Sequence, residues 1–437
     1  MGTPQTRGPG AERQRAVDRG SETTPQESPV VFIARQPVFD VHKRVWAYEL
    51  LFRGGNTGSA QVTDDAAATA HVLRTTFLDL GLEYLTGGLP ALVNFSERHL
   101  VDQLPNLFPP AHLIVEVLES VRPTPEVTAA LRELKRAGYR LALDDLGVTE
   151  LPETLLPLAD ILKVDFLALD AGERSRITKA LRTSCRNSTL FLAEKVETLD
   201  DFDQGRRLDC HLFQGYFFAK PVVLKEKAIP SHKLTRLRLL QELANPEFEF
   251  RRIEAVVKSD ISVTTKLLRY INAAAFPWSR RIESVGQALV LLGENQVRKW
   301  LSIVTLSELC CGSPFELLRA ACLRGRFCEL LGSQLRGYSE LDCFLVGALA
   351  NLDAMLGTTK EAALEKLTLP EPVKNALSGC DCALAKLLVL ATSYERAEWD
   401  RVHGLATELG IREDSLPKWY MEALAWTESL FTPSGEA

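Results

Sequence analysis

Leu141-Ala-Leu-Asp-Asp-Leu-Gly147 is the stretch on which the fold turns. Its apolar run is long enough for a buried parallel strand, and it ends in two adjacent carboxylates followed by glycine. Neighbouring strand residues point to opposite faces, so Asp144 and Asp145 reach one centre together only where a strand ends and its twist relaxes. A strand tip in an α/β barrel is such a place. Two acids crowded there in an apolar frame repel each other unless a cation or a proton sits between them, which gives a hard-metal site as one reading. The other reading is that one aspartate caps the following helix while the other is solvated.

Outward from this stretch, short apolar runs alternate with helix-period segments from Val30 to about Leu224. Trp46–Phe52, Ala91–Phe95, Leu113–Val117, Leu141–Asp144, Ile161–Val164, Leu190–Ala193 and Leu212–Phe217 are predicted strands. Glu126–Ala137 is a predicted helix that stops at Gly138. Strand, helix, strand repeated this often predicts a parallel sheet closed into a (β/α)8 TIM-like barrel. From about Ser231 the pattern becomes all-helical, with predicted helices over Leu234–Ala244, Ile253–Ser259, Val263–Ala274, Val285–Leu292, Val297–Leu309, Leu317–Leu331 and Leu341–Leu356. The expected organisation is a disordered polar tail over 1–28, a barrel over 29–224, a linker near 222–233 that carries Pro221 and Pro230 at or beside it, and a helical domain over 225–437.

Composition sets the outer bounds. The 437 residues carry a formal charge of −6 with no basic block, so neither nucleic acid nor an anionic membrane is an expected partner. No stretch reaches the roughly 18 apolar residues of a membrane span, and no signal peptide opens the chain. The nine cysteines are scattered and lie mostly inside apolar helical runs, as expected of reduced thiols in a cytoplasmic protein. The seven histidines stand singly, none at metal-ligand spacing.

Each predicted strand ends in a residue that can hold a metal or a phosphate, and the catalytic groups of such barrels collect at the carboxyl ends of the strands. Glu49, Asn94, Glu116, Asp144, Asp145, Lys163, Glu194 and Gln214 follow one another in this way. The oxygen ligands Glu49, Asn94, Glu116, Asp144, Asp145 and Glu194 match the preferences of Mg²⁺ or Mn²⁺, two of which could hold a phosphodiester and activate a water. Lys163 would then orient that water or neutralise developing charge, and Arg53 would clamp a phosphate. The chemistry expected is metal-dependent handling of a phosphodiester.

This series resembles the EAL domain, the barrel that hydrolyses cyclic di-GMP to the linear dinucleotide. The family's Glu-Ala-Leu-x-Arg stands as Glu49-Leu-Leu-Phe-Arg53, its Asn as Asn94, and its Glu-x-Thr-Glu as Glu116-Val-Leu-Glu119. Its Asp-Asp-Phe-Gly stands as Asp144-Asp-Leu-Gly147, its Lys-x-Asp as Lys163-Val-Asp165, its Ala-Glu-Gly-Val-Glu as Ala193-Glu-Lys-Val-Glu197, and its Gln-Gly-Tyr as Gln214-Gly-Tyr216. The resemblance implies Glu49, Lys163 and Glu197 as catalytic residues, Arg53 and Gln214 as substrate-binding residues, cyclic di-GMP as ligand and a homodimer as the assembly. Three departures stand out. The family's Gly-x-Gly-Tyr-Ser-Ser is Gly147-Val-Thr-Glu-Leu-Pro152 here, a loop that must follow another path because Thr149 cannot take positive φ cheaply. Lys195 replaces a glycine beside Glu194 and is expected to compete with the metals; Leu50 replaces the alanine of the name motif.

The helical half is similar to the HDOD domain, on Leu267-Leu-Arg-Tyr-Ile-Asn-Ala-Ala-Ala-Phe276, Ile282-Glu-Ser-Val-Gly-Gln-Ala-Leu-Val-Leu-Leu-Gly293 and Val297-Arg-Lys-Trp300. A divergent EAL barrel followed by HDOD is the YuxH-like type of bacterial signalling protein. Where the related hydrolases carry a metal-binding His-Asp pair, Asn351 and Leu352 stand, so this half is expected to bind a protein partner rather than catalyse. The functional expectation is a signalling protein that binds cyclic di-GMP or acts as a regulatory adaptor. The alternative is an active cyclic di-GMP phosphodiesterase.

Overall fold

The computed structural model describes residues 31–54, 82–144, 154–219, 285–310, 313–365 and 369–431, with isolated positions between them. The expected polar tail apart from Gly2, the linker near 222–233, Asp145 and the loop through Pro152 lie outside the described residues, as does most of 235–283. Eight strands form a closed barrel in sequence order. They are β1 (Val31–Asp40), β2 (Val45–Gly54), β3 (Ala91–Phe95), β4 (Leu113–Val117), β5 (Arg140–Leu143), β6 (Ile161–Asp165), β7 (Leu190–Glu194) and β8 (Leu212–Gln214). The barrel helices include α1 (Leu82–Thr86), α2 (Glu97–Val101), α3 (Pro125–Arg136), α4 (Ala171–Ser184) and α5 (Leu199–Arg207). Local chemistry sets their ends: Thr124 caps α3 by accepting from Val127 N, with Pro125 at the first helical position. Asp170 and Glu173 make a reciprocal capping box on α4.

The closed barrel agrees with expectation, but the sheet is not wholly parallel. β1, which the sequence pattern did not reveal as a strand, runs antiparallel to both β2 and β8. It joins β2 through a tight turn in which Asp40 accepts from His42 N and Arg44 N while Lys43 takes φ 60°. A hairpin therefore takes the place of the crossover helix that a parallel β1–β2 pair would require.

The helical half packs against this hairpin. Its described helices are α6 (Val285–Leu309), α7 (Phe315–Gly332), α8 (Glu340–Ala348), α9 (Leu352–Leu356), α10 (Lys360–Glu365), α11 (Glu371–Leu377), α12 (Ala383–Glu395), α13 (Trp399–Leu409) and α14 (Leu416–Phe431). The two helices expected over 285–309 run together but are broken at Gly293, whose φ of 73° is non-helical. The single helix expected over 341–356 is two, because the chain turns at Leu349–Asn351. α12 and α14 pack against β1. Phe32 is buried against the rings of Tyr394 and Trp399, with centroids 6.3 and 5.7 Å away. One continuous apolar core contains Phe32, Ala34 and Leu50 of the hairpin together with Phe327, Tyr394 and Tyr420 of the helices. Burial of side chains of this size stabilises by roughly 1.5–3 kcal/mol each. The helical half thus shares its core with the hairpin.

Candidate metal centre

Inside the barrel an apolar layer takes one residue from every strand: Val38, Ala47, Leu92, Ile114, Ala142, Ile161, Leu192 and Leu212. Side chains on one face of a strand recur every second residue. Two residues on, along β2 to β8, stand Glu49, Asn94, Glu116, Asp144, Lys163, Glu194 and Gln214. Along β1, which runs the other way, two residues back stands Gln36. A ring of eight polar residues thus lies directly above a ring of apolar ones. Seven of its members are predicted site residues; Gln36 is the one that sequence reasoning missed. Its signal was the alternation through Gln36 and Val38 ahead of the Asp40 turn, which becomes legible only once Val31–Asp40 is recognised as a strand.

Lys163 occupies the centre and is 1 % exposed. Its ammonium lies 2.6 Å from Glu194 Oε1, 3.0 Å from Asp144 Oδ1 and 3.5 Å from Glu49 Oε1, and it also donates to Glu116. Gln214 donates its amide to Glu49 and, at 3.1 Å, to Gln36 Oε1. Gly215 makes this placement possible: at φ 141° its backbone lies so close to Val196 that a Cβ would overlap the Val196 carbonyl. Val196 N in turn donates to Gln214 O at 2.9 Å, which fixes the end of β8.

Four carboxylates facing one ammonium in a buried space leave excess negative charge. Burial pushes the Glu194 carboxyl up to about 8; the Lys163 ammonium opposes the rise, while Asp144 and Glu49 reinforce it. Burial likewise raises Glu116 well above the carboxylate range, against the pull of Lys163. For Lys163 burial acts downward, and the surrounding carboxylates outweigh it to leave the ammonium more firmly protonated. Carboxylate oxygens of Glu49, Glu116 and Glu194 lie within 4.8 Å of one another. Asn94 Oδ1 and Glu116 Oε2 are buried acceptors without a hydrogen-bond partner among the described residues. An oxygen-only donor set, surplus negative charge and orphaned acceptors together fit a hard divalent cation, and the ring offers no sulfur or imidazole to a softer one.

The remaining predicted residues fall outside the ring. Arg53 shares the inner face of β2 with Glu49 but stands four residues further along, with its guanidinium 3.8 Å from Asp400 of α13. That distance is too long for a hydrogen bond. Glu197 is exposed in the turn between β7 and α5, so the structure does not bring this expected catalytic residue into the ring. Lys195 corrects an expectation. It takes φ 51°, the left-handed conformation that suits the family's glycine, and its ammonium bonds Asp165 Oδ2 at 2.5 Å. Asp165 also caps the turn after β6 by accepting from Leu167 N and Ala168 N. The extra cation is engaged by Asp165. In the helical half, Leu352 is fully buried where a metal-binding aspartate would be needed.

Comparison with known proteins agrees with this reading of the two halves. Residues 31–221 match the EAL domain and residues 229–368 match the HDOD domain. The helices from Glu371 to Phe431 lie beyond the second match. The chain is 33 % identical to cyclic di-GMP phosphodiesterase CdgJ of Vibrio cholerae, over 91 % of this chain and 93 % of that one. It is 33 % identical to the YuxH protein of Bacillus subtilis, over 92 % and 98 % respectively. Among solved structures, Klebsiella pneumoniae BlrP1 in a calcium and cyclic di-GMP complex is 22 % identical over 43 % of this chain and 54 % of that one. Its TM-score of 0.36 gives that likeness no weight of its own. No helix among the described residues is long and apolar enough to cross a membrane.

Proposed function

Because the chain belongs to the EAL–HDOD family, we propose that its barrel mouth is a divalent-cation centre that takes cyclic di-GMP, and that the protein acts in bacterial cyclic di-GMP signalling. The observation that carries this reading is the complete polar ring above a complete apolar one. Glu49, Asn94, Glu116, Asp144, Asp145 and Glu194 would hold Mg²⁺ or Mn²⁺. The bound cation would supply charge neutralisation of a phosphodiester and acidify a water. Lys163 keeps the carboxylates gathered and presents a fixed positive charge. Gln214 orients Glu49, and Arg53, four residues beyond Glu49 on the same face of β2, would meet a phosphate. The helical half serves as a regulatory module that contacts a protein partner, in the cytoplasm and in a chain able to dimerise.

Hydrolysis to the linear dinucleotide is the second reading, and two observations favour it. The ring keeps its carboxylates and its lysine, and Lys195 is engaged by Asp165. A site that only bound nucleotide would have no need for so many converging acids. The test is calorimetric titration of the full-length protein with cyclic di-GMP in Ca²⁺, followed by incubation in Mg²⁺ or Mn²⁺ with the products separated by chromatography. Binding without product fits a receptor, and binding with a linear product fits a phosphodiesterase. No binding in any of the three ions overturns the proposal.

A further inference from the structure

The hairpin that carries Gln36 and Glu49 into the ring is held from outside by the helical half, and the same arrangement occurs on both of its strands. On β2, Tyr48 immediately precedes Glu49 and points to the opposite face. It is fully buried, and its hydroxyl donates to Glu316 Oε2 of α7 at 3.0 Å. The Arg35 and Arg319 guanidinium groups lie over its ring, 4.5 and 5.7 Å from the centroid. On β1, Arg35 immediately precedes Gln36. Its guanidinium donates to Leu85 O at 2.7 Å and to Glu428 of α14 at 2.9 Å. Arg319 of α7 bonds the same Glu428. Between the two halves lies a cleft with Gln36, Gln214 and Tyr216 on the barrel wall and Glu316, Arg319 and Arg324 on the helical wall.

We infer that Tyr48 and Glu316 are positioning residues for the cation centre, through which the helical half sets the angle at which Glu49 enters the ring. The inference rests on the cation-centre reading above. Side chains on consecutive strand residues share one backbone segment, so a hydroxyl fixed at Tyr48 restricts the rotation that would swing Glu49 away from Glu116 and Glu194. The restraint comes from a residue 268 positions away in the chain. It therefore exists only while α7 is docked. Coupling of this kind is reciprocal: if docking favours cation binding, cation binding favours docking.

The test measures Mn²⁺ affinity of the full-length protein and of its Tyr48→Phe, Glu316→Ala and Glu316→Gln variants by calorimetry, with amide exchange followed in parallel. Tyr48→Phe and Glu316→Ala are expected to weaken Mn²⁺ about tenfold, the scale typical of residues that orient metal ligands. Glu316→Gln keeps an acceptor oxygen and is expected to stay within about twofold of wild type. In wild type, Mn²⁺ should slow exchange across Phe315–Gly332, and in Tyr48→Phe it should not. Unchanged Mn²⁺ affinity in both weakening variants, or exchange in α7 that is indifferent to Mn²⁺ in wild type, would show that the contact is only structural. A wild-type protein that binds no Mn²⁺ would overturn the cation centre itself, and this inference with it.

Discussion

Replacing Lys163 by methionine removes the one ammonium at the centre of the ring while keeping a side chain of similar length. Four carboxylates, those of Glu49, Glu116, Asp144 and Glu194, then face one another without it. Lys163 is 1 % exposed, so solvent does little to screen the change. Breaking a buried ion pair by deleting one partner costs about 3–5 kcal/mol. The lower end is expected here, because burial already pushes Glu194 up to about 8 and Glu116 well above its ordinary range, so protons absorb part of the repulsion. The effect should depend on pH with a definite sign. A carboxyl whose folded pKa is raised leaves the folded state most stable below the ordinary carboxylate value, and stability falls as pH climbs toward the raised one. Lys163 opposes that rise, so the deficit of Lys163→Met should be small near pH 5 and grow toward pH 8. The assay is urea unfolding at several pH values in the presence of chelator, repeated with Mn²⁺. The dication should recover part of the loss, by about 2.7 kcal/mol at a hundredfold excess over its dissociation constant. A variant as stable as wild type at pH 8 without metal would refute the reasoning, since the four acids could not then be converging as described.

Three further outcomes follow from the same geometry. Since burial raises the Glu116 carboxyl and pushes Glu194 up to about 8, Mn²⁺ binding should release protons, seen as a dependence of the calorimetric heat on the buffer's ionisation enthalpy, and its affinity should climb as pH rises toward about 8. Gly215→Ala should displace Gln214 from Glu49 and cost about 1–3 kcal/mol in urea unfolding, together with loss of cyclic di-GMP binding, because no Cβ fits beside Val196. Phe32→Ala should cost about 3–5 kcal/mol and lower the melting of barrel and helices together in one transition, since the ring sits in a core common to both.

Much of the barrel was legible because β2 to β8 are short apolar runs ending in polar residues, a pattern that periodicity detects. β1 was not, and the reason is local. Arg35, Gln36 and Pro37 interrupt its apolar alternation, and its turn carries Val41-His42-Lys43 in place of a glycine or asparagine signal, with Lys43 itself adopting the positive φ. Missing β1 concealed both the antiparallel hairpin and Gln36. The ring could be anticipated because each member lies one step beyond an apolar strand core. What a single sequence does not carry is where a long side chain turns. Lys195 follows Glu194 in the chain, yet its ammonium is 2.5 Å from Asp165, on the preceding strand. The docking of the helical half was equally hidden, since Tyr48–Glu316 and Arg35–Glu428 join residues hundreds of positions apart with no pattern to link them. In the same way Glu197 belongs to a recognisable motif, but only the fold shows it exposed outside the ring.

The central claim is that the polar ring holds a divalent cation against which cyclic di-GMP binds. Anomalous scattering from crystals grown with Mn²⁺ and cyclic di-GMP tests it most directly. The expected result is a manganese peak bounded by Glu49, Asn94, Glu116, Asp144 and Glu194, with a phosphate of the nucleotide beside it and Arg53 turned toward the ligand. Nucleotide bound elsewhere on the chain, or manganese found only on surface carboxylates while the ring keeps Lys163 as its sole cation, would contradict it.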